Sequence, residues 1–510
     1  MKSFRLPPIW MLNGLASFCL MLIQILSGRA LAPYLGTSVF TWTSVIGATL
    51  IGLTFGQAAG GYLADRKTGR RGLAQTFLMS GTAALASNFA LAFFSTRLSA
   101  YPMDLAFRSI MLALVVFGPV AFFLSMVGPQ LAKLAVDDLG HSGSSIGKLS
   151  AAGAIGSLLG VGLGGYVLIA TLGTQYLMSA VAIALLLIGV YIGIGERVLN
   201  YRIIGFLLVV TAGNLLLPGI CKVESNYFCI RIKVDGLENT PRYTLRLDHL
   251  VHSYVSPRDP SDLGYGYEQV YARLIASRYA TRDSFHAYFI GGGGFVLPRY
   301  LEAYYPNATS TVSEIDPAVI EANHRFMELS ATTTIVMAPG DARRHLMRNV
   351  DEPYDLVFGD AFNDFGVPVH LTTLEFHRLL KSRMKSDGIY ALNLIDDSRY
   401  GNFLAAMTLT LRQVWKHVEV APLADTLEPG RNTIVLIASD EPIDADRWQR
   451  ARPPSFDRLE ADDQAIEASA KRLDPMVIEE FLTQHKDASI LTDDYAPLDR
   501  YLAPVFRDAY

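Results

Sequence analysis

Long apolar runs crowd the first 221 residues of the chain, and a bilayer leaves such segments little structural choice, because only helices and closed barrels satisfy their own backbone inside hydrocarbon. Seven runs, at approximately 9–31, 40–64, 74–95, 107–135, 147–170, 174–194 and 202–221, are each long enough to cross a core of ~30 Å as a helix. Internal breakers such as Gly118-Pro119 do not oppose this, since helices in bilayers tolerate them. The same runs produce a composition of 51% hydrophobic and 18% charged residues, which is unusual for a soluble protein. The first run is too long for a cleaved signal peptide, lacks a small-residue cleavage site and is followed at once by further spans. The expectation is a multi-pass transmembrane domain over residues 1–221, in contact with the lipid of a cell (inner) membrane.

Basic residues orient the spans. Lys2, Arg5, Arg66, Lys67, Arg70, Arg71, Lys133, Lys148, Arg197 and Arg202 fall on one side of a seven-span arrangement, and little more than Arg97 and Arg108 on the other. The positive-inside rule makes the first side cytoplasmic, and an odd number of spans then places everything after residue 222 outside. The loop from Gly61 through Asp65 and Arg66 to Arg70 and Arg71 resembles the cytoplasmic signature of major facilitator transporters, in which a helix-end acid meets arginines of the same loop. That supports the topology without establishing transport, because those transporters have many more helices. Gly153, Gly156, Gly160 and Gly164 recur at intervals that share one helix face and predict close helix packing. Cys221 and Cys229 lie where the chain leaves the membrane; they would pair in an oxidising compartment and remain small buried hydrophobes in the cytosol. Neither has a histidine at metal-ligand spacing, so no metal site is expected.

The second half has a different period. Asn226–Val234 and Tyr243–Val251 alternate as strands, predicting a small β-rich lid domain over residues 222–270 that carries His249, His252, Tyr267 and Glu268. A short apolar strand, Tyr288–Ile290, then runs into Gly291, Gly292, Gly293 and Gly294, with a helix-like stretch from Phe295. Glycines there allow close backbone approach to a ligand. The next strand, Ser310–Ser313, ends in Glu314, placed where a carboxylate can accept both hydroxyls of a ribose. Asp341 closes a third strand and Asp360 a fourth; Thr372–Met384 reads as an amphipathic helix, Gly388–Leu394 as a fifth strand, and His417–Ala421 and Thr433–Ala438 as closing strands. This is the layout of a Rossmann-like, methyltransferase-type α/β domain over residues 271–510, and it predicts chemistry on an adenosyl-type ligand. The net charge of −4 and the lack of a basic stripe disfavour nucleic acid as a partner.

The α/β half resembles the spermidine synthase (polyamine aminopropyltransferase) family, and the whole chain resembles its membrane-fused branch. The resemblance covers roughly residues 222–440, through Leu247-Asp248, Tyr267, Ile290 to Gly293, Glu314-Ile315-Asp316, Gly340-Asp341 and Tyr354-Asp355 through Asp360; Val367 to Phe376 resembles the stretch after the catalytic acid. It implies that Gly291, Gly292 and Gly293 approach decarboxylated S-adenosylmethionine, that Glu314 holds the ribose, that Asp341 with Ala342 meets the adenine, and that Asp360 accepts a proton. The donor would be a co-substrate, decarboxylated or intact S-adenosylmethionine, with no tightly bound cofactor. Tyr267, Glu268, His252 and Asp364 are the expected amine contacts. The residue types fit the chemistry: an amine attacks only as its free base, so a carboxylate beside it must take the proton, and acids also favour a cationic sulfonium.

Three positions depart from the family: Gly294 stands where the soluble enzymes carry an aspartate for the donor's amine, Phe228 stands for a glutamine, and Tyr267-Glu268 for a tyrosine-histidine pair. Transfer of another group from S-adenosylmethionine therefore stays open, as does a transporter or sensor with a regulatory nucleoside domain. The acceptor amine, homo-oligomer formation and the side of the α/β half are not decided by the sequence. Charge bias places that half outside, whereas adenosyl donors are made in the cytosol.

Overall fold

The computed structural model describes residues 6–66, 69–98, 104–136, 142–196, 198, 201–216, 219–348, 352–361, 366–423, 430–457 and 463–507. The chain divides into two units, residues 1–229 and 230–510.

The first unit is helical: α1 (Ile9–Leu35), α2 (Val39–Asp65), α3 (Gly69–Leu98), α4 (Leu105–Ser125), α5 (Val127–Ala135), α6 (Ser142–Leu163), a π-turn (Gly164–Leu168), α7 (Ile169–Leu172), α8 (Thr174–Gly195) and α9 (Tyr201–Leu215). Among the described residues six helical stretches are long and apolar enough to cross a membrane: α1, α2, α3, α4 with α5, α6 with its π-turn, and α8. The expected seventh span, 202–221, is the 15-residue α9, about 22 Å long at the usual rise per residue. The glycine stripe of α6 does what its spacing predicted. A side-chain carbon on Gly156 would lie 1.9 Å from the Gly14 carbonyl, and one on Gly160 2.6 Å from that of Phe18, so α6 seats directly on the backbone of α1. Polar side chains also bond across the bundle, as where the Gln130 amide donates to Thr76 Oγ1 at 2.8 Å. Asp65 meets Lys133 at 3.3 Å, and Arg66 lies over the Tyr62 ring. Lys2, Arg5, Lys67 and Arg197 lie outside the described residues.

Cys229–Leu237 (β2) follows the two-residue strand β1 (Val223–Glu224), and β2, β3 (Thr240–Leu247) and β4 (Leu250–Val255) pair antiparallel. Two strands were expected here. Asp248, with φ +49°, turns the chain after Leu247 and splits the second; a short polar side chain makes that left-handed geometry tolerable. Helix α10 (Gly266–Arg278) runs unbroken through residue 270. It is tied down by the buried Arg273, which donates to the carbonyls of Trp448 and Ile466 at 3.1 and 2.9 Å.

A seven-stranded sheet follows, comprising β5 (His286–Ile290), β6 (Thr309–Glu314), β7 (Val336–Pro339), β8 (Tyr354–Gly359), β9 (Met384–Asp397), β10 (His417–Pro422) and β11 (Arg431–Ser439). Their order across the sheet is β10-β11-β9-β8-β5-β6-β7. The first five run parallel, and β10 and β11 are antiparallel. Helices α11 (Val296–Tyr304), α12 (Pro317–Phe326), α13 (Ala342–Arg348), α14 (Leu374–Lys381) and α15 (Asn402–Leu411) connect them, and α16 (Ala445–Arg450), α17 (Asp463–Ala470), α18 (Pro475–Gln484) and α19 (Leu498–Arg507) form the tail. The tail is part of the core: Ile478, Tyr501, Leu502 and Val505 pack with Trp415 and Met407. From β5 the chain winds outward through β6 and β7, then returns to β8 on the other side of β5. That reversal opens a crevice beyond the carboxyl ends of β5 and β8, where ligands of such sheets bind.

Candidate active site

Both sides of the crevice lock together through backbone. Gly291, after β5, has φ +99°, and a side chain on it would place Cβ 2.4 Å from the Asp360 carbonyl oxygen. Only glycine fits there. The Gly291 N–H donates to Ser313 O, and the Asp360 N–H to Ile290 O, each at 2.9 Å.

Glu314, at the end of β6, is buried beneath this loop. Its Oε2 accepts from the N–H groups of Gly292 and Gly293 at 2.8 and 3.3 Å, and its Oε1 from the Asp316 N–H at 3.0 Å. Burial raises its pKa, and the three donors oppose the shift. Asp341, after β7, is engaged elsewhere: Oδ1 accepts from the Arg344 N–H at 2.7 Å and Oδ2 faces His370 Nε2 at 2.5 Å. Ala342 is buried at the start of α13.

Asp360 follows β8. Its Oδ2 accepts from the Tyr267 hydroxyl at 2.7 Å and its Oδ1 from the Asn393 amide at 2.9 Å. Burial raises its pKa, with Asn393 and Tyr267 pulling the other way. Tyr267 comes from α10, stacks on Tyr265 and meets Tyr271 edge-on, so an aromatic wall fixes the hydroxyl that holds the acid. Burial also pushes Glu268 up to about 8, against the Tyr265 N–H and with a smaller contribution from the Asp360 charge. Its Oε2 accepts that N–H at 2.9 Å as part of the helix cap. His252 is half-buried, its pKa lowered to about 4 by burial. By strand alternation it lies on the face of β4 opposite Ser253, and Ser253 is the residue that accepts from the Gly294 N–H, at 2.9 Å. Asp364 lies outside the described residues.

Tyr267 and Asp360 thus meet, as do Glu314 and the glycine loop, whereas Asp341 pairs with His370. Asn393 and Ser253 were missed by the sequence reading. Asn393 had a signal, a lone amide within the apolar strand Ile389–Ile395, since a buried polar group must find a partner. Ser253 had none, because only the fold brings β4 over the glycines.

Glu268 gives a pH test with a definite sign. Below about pH 4.5 both folded and unfolded states hold its proton; between 4.5 and about 8 only the unfolded chain loses it, so stability drains away as pH rises through that window. Glutamine keeps an acceptor for the cap and never ionises. Glu268→Gln should therefore melt above wild type at pH 8 in detergent-solubilised full-length protein, by up to about 5 kcal/mol, with the gain vanishing towards pH 4.5. A gain that does not vary with pH would show that Glu268 ionises freely.

No family model matches the chain. It is 28% identical over 219 residues to a polyamine aminopropyltransferase from Vibrio vulnificus, covering 41% of this chain and 67% of that one. A polyamine aminopropyltransferase from Chromobacterium violaceum is 27% identical over 158 residues, or 30% of this chain and 58% of the relative. Among solved structures, a probable spermidine synthase from Corynebacterium glutamicum superposes with a TM-score of 0.45 at 18% identity, covering 55% of this chain and 99% of its own.

Proposed function

We propose, on the premise that the α/β half belongs to the spermidine synthase (polyamine aminopropyltransferase) family and is a transferase of that type, that it moves an aminopropyl group from decarboxylated S-adenosylmethionine to an amine such as putrescine. The observation that carries this reading is Asp360, a half-buried carboxyl clamped by Tyr267 and Asn393 across the crevice from the glycine loop. In the reaction the amine lone pair forms a C–N bond to the methylene carbon on sulfur. The C–S bond breaks, sulfur keeps the pair as methylthioadenosine, and the new ammonium passes a proton to Asp360. Gly291, Gly292 and Gly293 would lie along the nucleoside, Glu314 would hold its ribose, and Asp341 with Ala342 would meet the adenine. Tyr267, Glu268, His252 and Asp364 would face the acceptor. Three backbone donors already occupy Glu314, so a ribose diol must displace one, and the 3.3 Å contact from Gly293 is the weakest. An acidic crevice suits both a sulfonium and a polyamine, and holding the two in line supplies much of the remaining acceleration.

Gly294 favours a second reading, transfer of a different group from intact S-adenosylmethionine. A side chain there would meet Val255 Cγ2 at 2.4 Å and Ser253 Cβ at 2.7 Å, so the family's aspartate has no room and a neutral hydroxyl stands nearby. Mass spectrometry of the purified full-length protein, incubated with each donor and a panel of amines, separates the two. Methylthioadenosine with an aminopropylated amine is the expected result. Adenosylhomocysteine with a methylated product would favour the second reading, and no nucleoside product from either donor would overturn both.

A further inference from the structure

Whether the chain emerges on the cytoplasmic or the outer face depends on α9, which is too short to be counted as a span by length alone. The contacts inside residues 1–229 settle where α9 ends. One end of the bundle carries the basic loops: Asp65, closing α2, pairs with Lys133 in the last turn of α5 at 3.3 Å, and Asn13, early in α1, donates to the carbonyl of Leu149, early in α6, at 2.9 Å. Helix α3 starts at this end, after Arg66, and α8 runs antiparallel to it, Gly81 facing Leu186 and Gly189 facing Leu78.

The last residues of α9 lie at the other end. Asn214, one residue before the helix stops, donates to Leu85 O at 2.9 Å and accepts from Asn88 at 3.1 Å, both in the second half of α3. It also accepts from Ser179, in the second turn of α8, at 2.6 Å. The exit segment follows it there: the Glu224 carboxylate accepts from the Thr174 N–H at 2.8 Å, at the very start of α8, and Arg29, near the end of α1, donates to the carbonyls of Ser225 and Tyr227 at 2.7 Å each. Cys221 and Cys229, flanking these residues, form a disulfide.

We propose that α9 is a seventh crossing and that the α/β half works on the non-cytoplasmic face, with its exit segment stapled by the Cys221–Cys229 bond. Three independent observations agree. The hydrogen bonds of Asn214, Glu224 and Arg29 put the exit at the end opposite Asp65 and Lys133; the basic loops mark that latter end as cytoplasmic; and a disulfide persists in an oxidising compartment. A length of about 22 Å suffices because α9 packs against longer neighbours and the bilayer adapts to a short helix at modest cost. The inference does not rest on the chemistry proposed for the site. Any sulfonium nucleoside used there, being made in the cytosol, must first cross the membrane, so an export step must precede the transfer.

The test uses the full-length protein in right-side-out membrane vesicles, with single added cysteines at Ser330 or Thr332, both exposed in the α/β half, and at Ser144, exposed at the start of α6. An impermeant maleimide is expected to modify Ser330→Cys and Thr332→Cys in sealed vesicles and Ser144→Cys only after lysis. Protection of both outer probes until lysis, or labelling of Ser144→Cys in sealed vesicles, would overturn the proposal. Acid-trapping of wild-type cells followed by alkylation reads the second arm: Cys221 and Cys229 should resist alkylation until reduced, and free thiols at both would also overturn it.

Discussion

Asp360→Asn is expected to lower turnover about 10²–10⁴-fold, the usual worth of general-base assistance, while leaving donor affinity unchanged. The amide keeps the shape of the side chain and an oxygen for the Tyr267 hydroxyl, so the clamp from Tyr267 and Asn393 survives in part. What it loses is the ability to accept a proton, the role proposed for Asp360 towards the amine. The sign of the pH dependence follows from burial, which holds the Asp360 carboxyl above the ordinary aspartate range. The base works only when ionised, so wild-type kcat/KM should rise with pH through a limb displaced upward from that range, and the limb should vanish in Asp360→Asn. Steady-state kinetics on methylthioadenosine release, with a parallel calorimetric titration of the nucleoside, checks both parts. Near-normal turnover of the variant at neutral pH would remove Asp360 as the base.

Glu314→Ala is expected to weaken methylthioadenosine binding by about 10²–10³-fold, the loss of two hydrogen bonds to a charged group. Here the proposed ribose acceptor also builds the loop. Glu314 gathers the N–H groups of Gly292, Gly293 and Asp316, so alanine removes the proposed ribose acceptor and leaves three backbone donors to water alone. Glu314→Gln should bind at an intermediate level, since it retains one acceptor oxygen. Equal affinity of the wild type and Glu314→Ala in calorimetric titration would exclude the ribose role.

Much of this architecture was legible in the sequence because it rests on local rules. Apolar runs predicted helices long enough to cross a bilayer, because hydrocarbon cannot satisfy an open backbone, and the spacing of Gly153 to Gly164 forecast a close contact because intervals of three and four share a helix face. The strand-end acids were equally readable, since a parallel sheet sends its carboxyl ends to one side, which brought Glu314 and Asp360 to the same crevice. The split of the second lid strand at Asp248 was not, because a left-handed aspartate carries no signal that distinguishes it from an aspartate in a strand.

What the sequence determined by itself was the kind of element at each place and the residues at its ends. Tertiary structure decided which of them touch. Tyr267 and Asp360 lie 93 positions apart, and Asn393 and Asp360 lie 33 apart; Ser253 crosses to Gly294 from another sheet. Periodicity describes one segment's faces and carries no information about which other segment covers them, and that choice is made by burial across the whole domain. The same holds in the helical half: the apolar run 202–221 predicted a crossing, the helix formed there is 15 residues long, and the polar contacts of Asn214 with α3 and α8 fixed which end of the bundle it reaches.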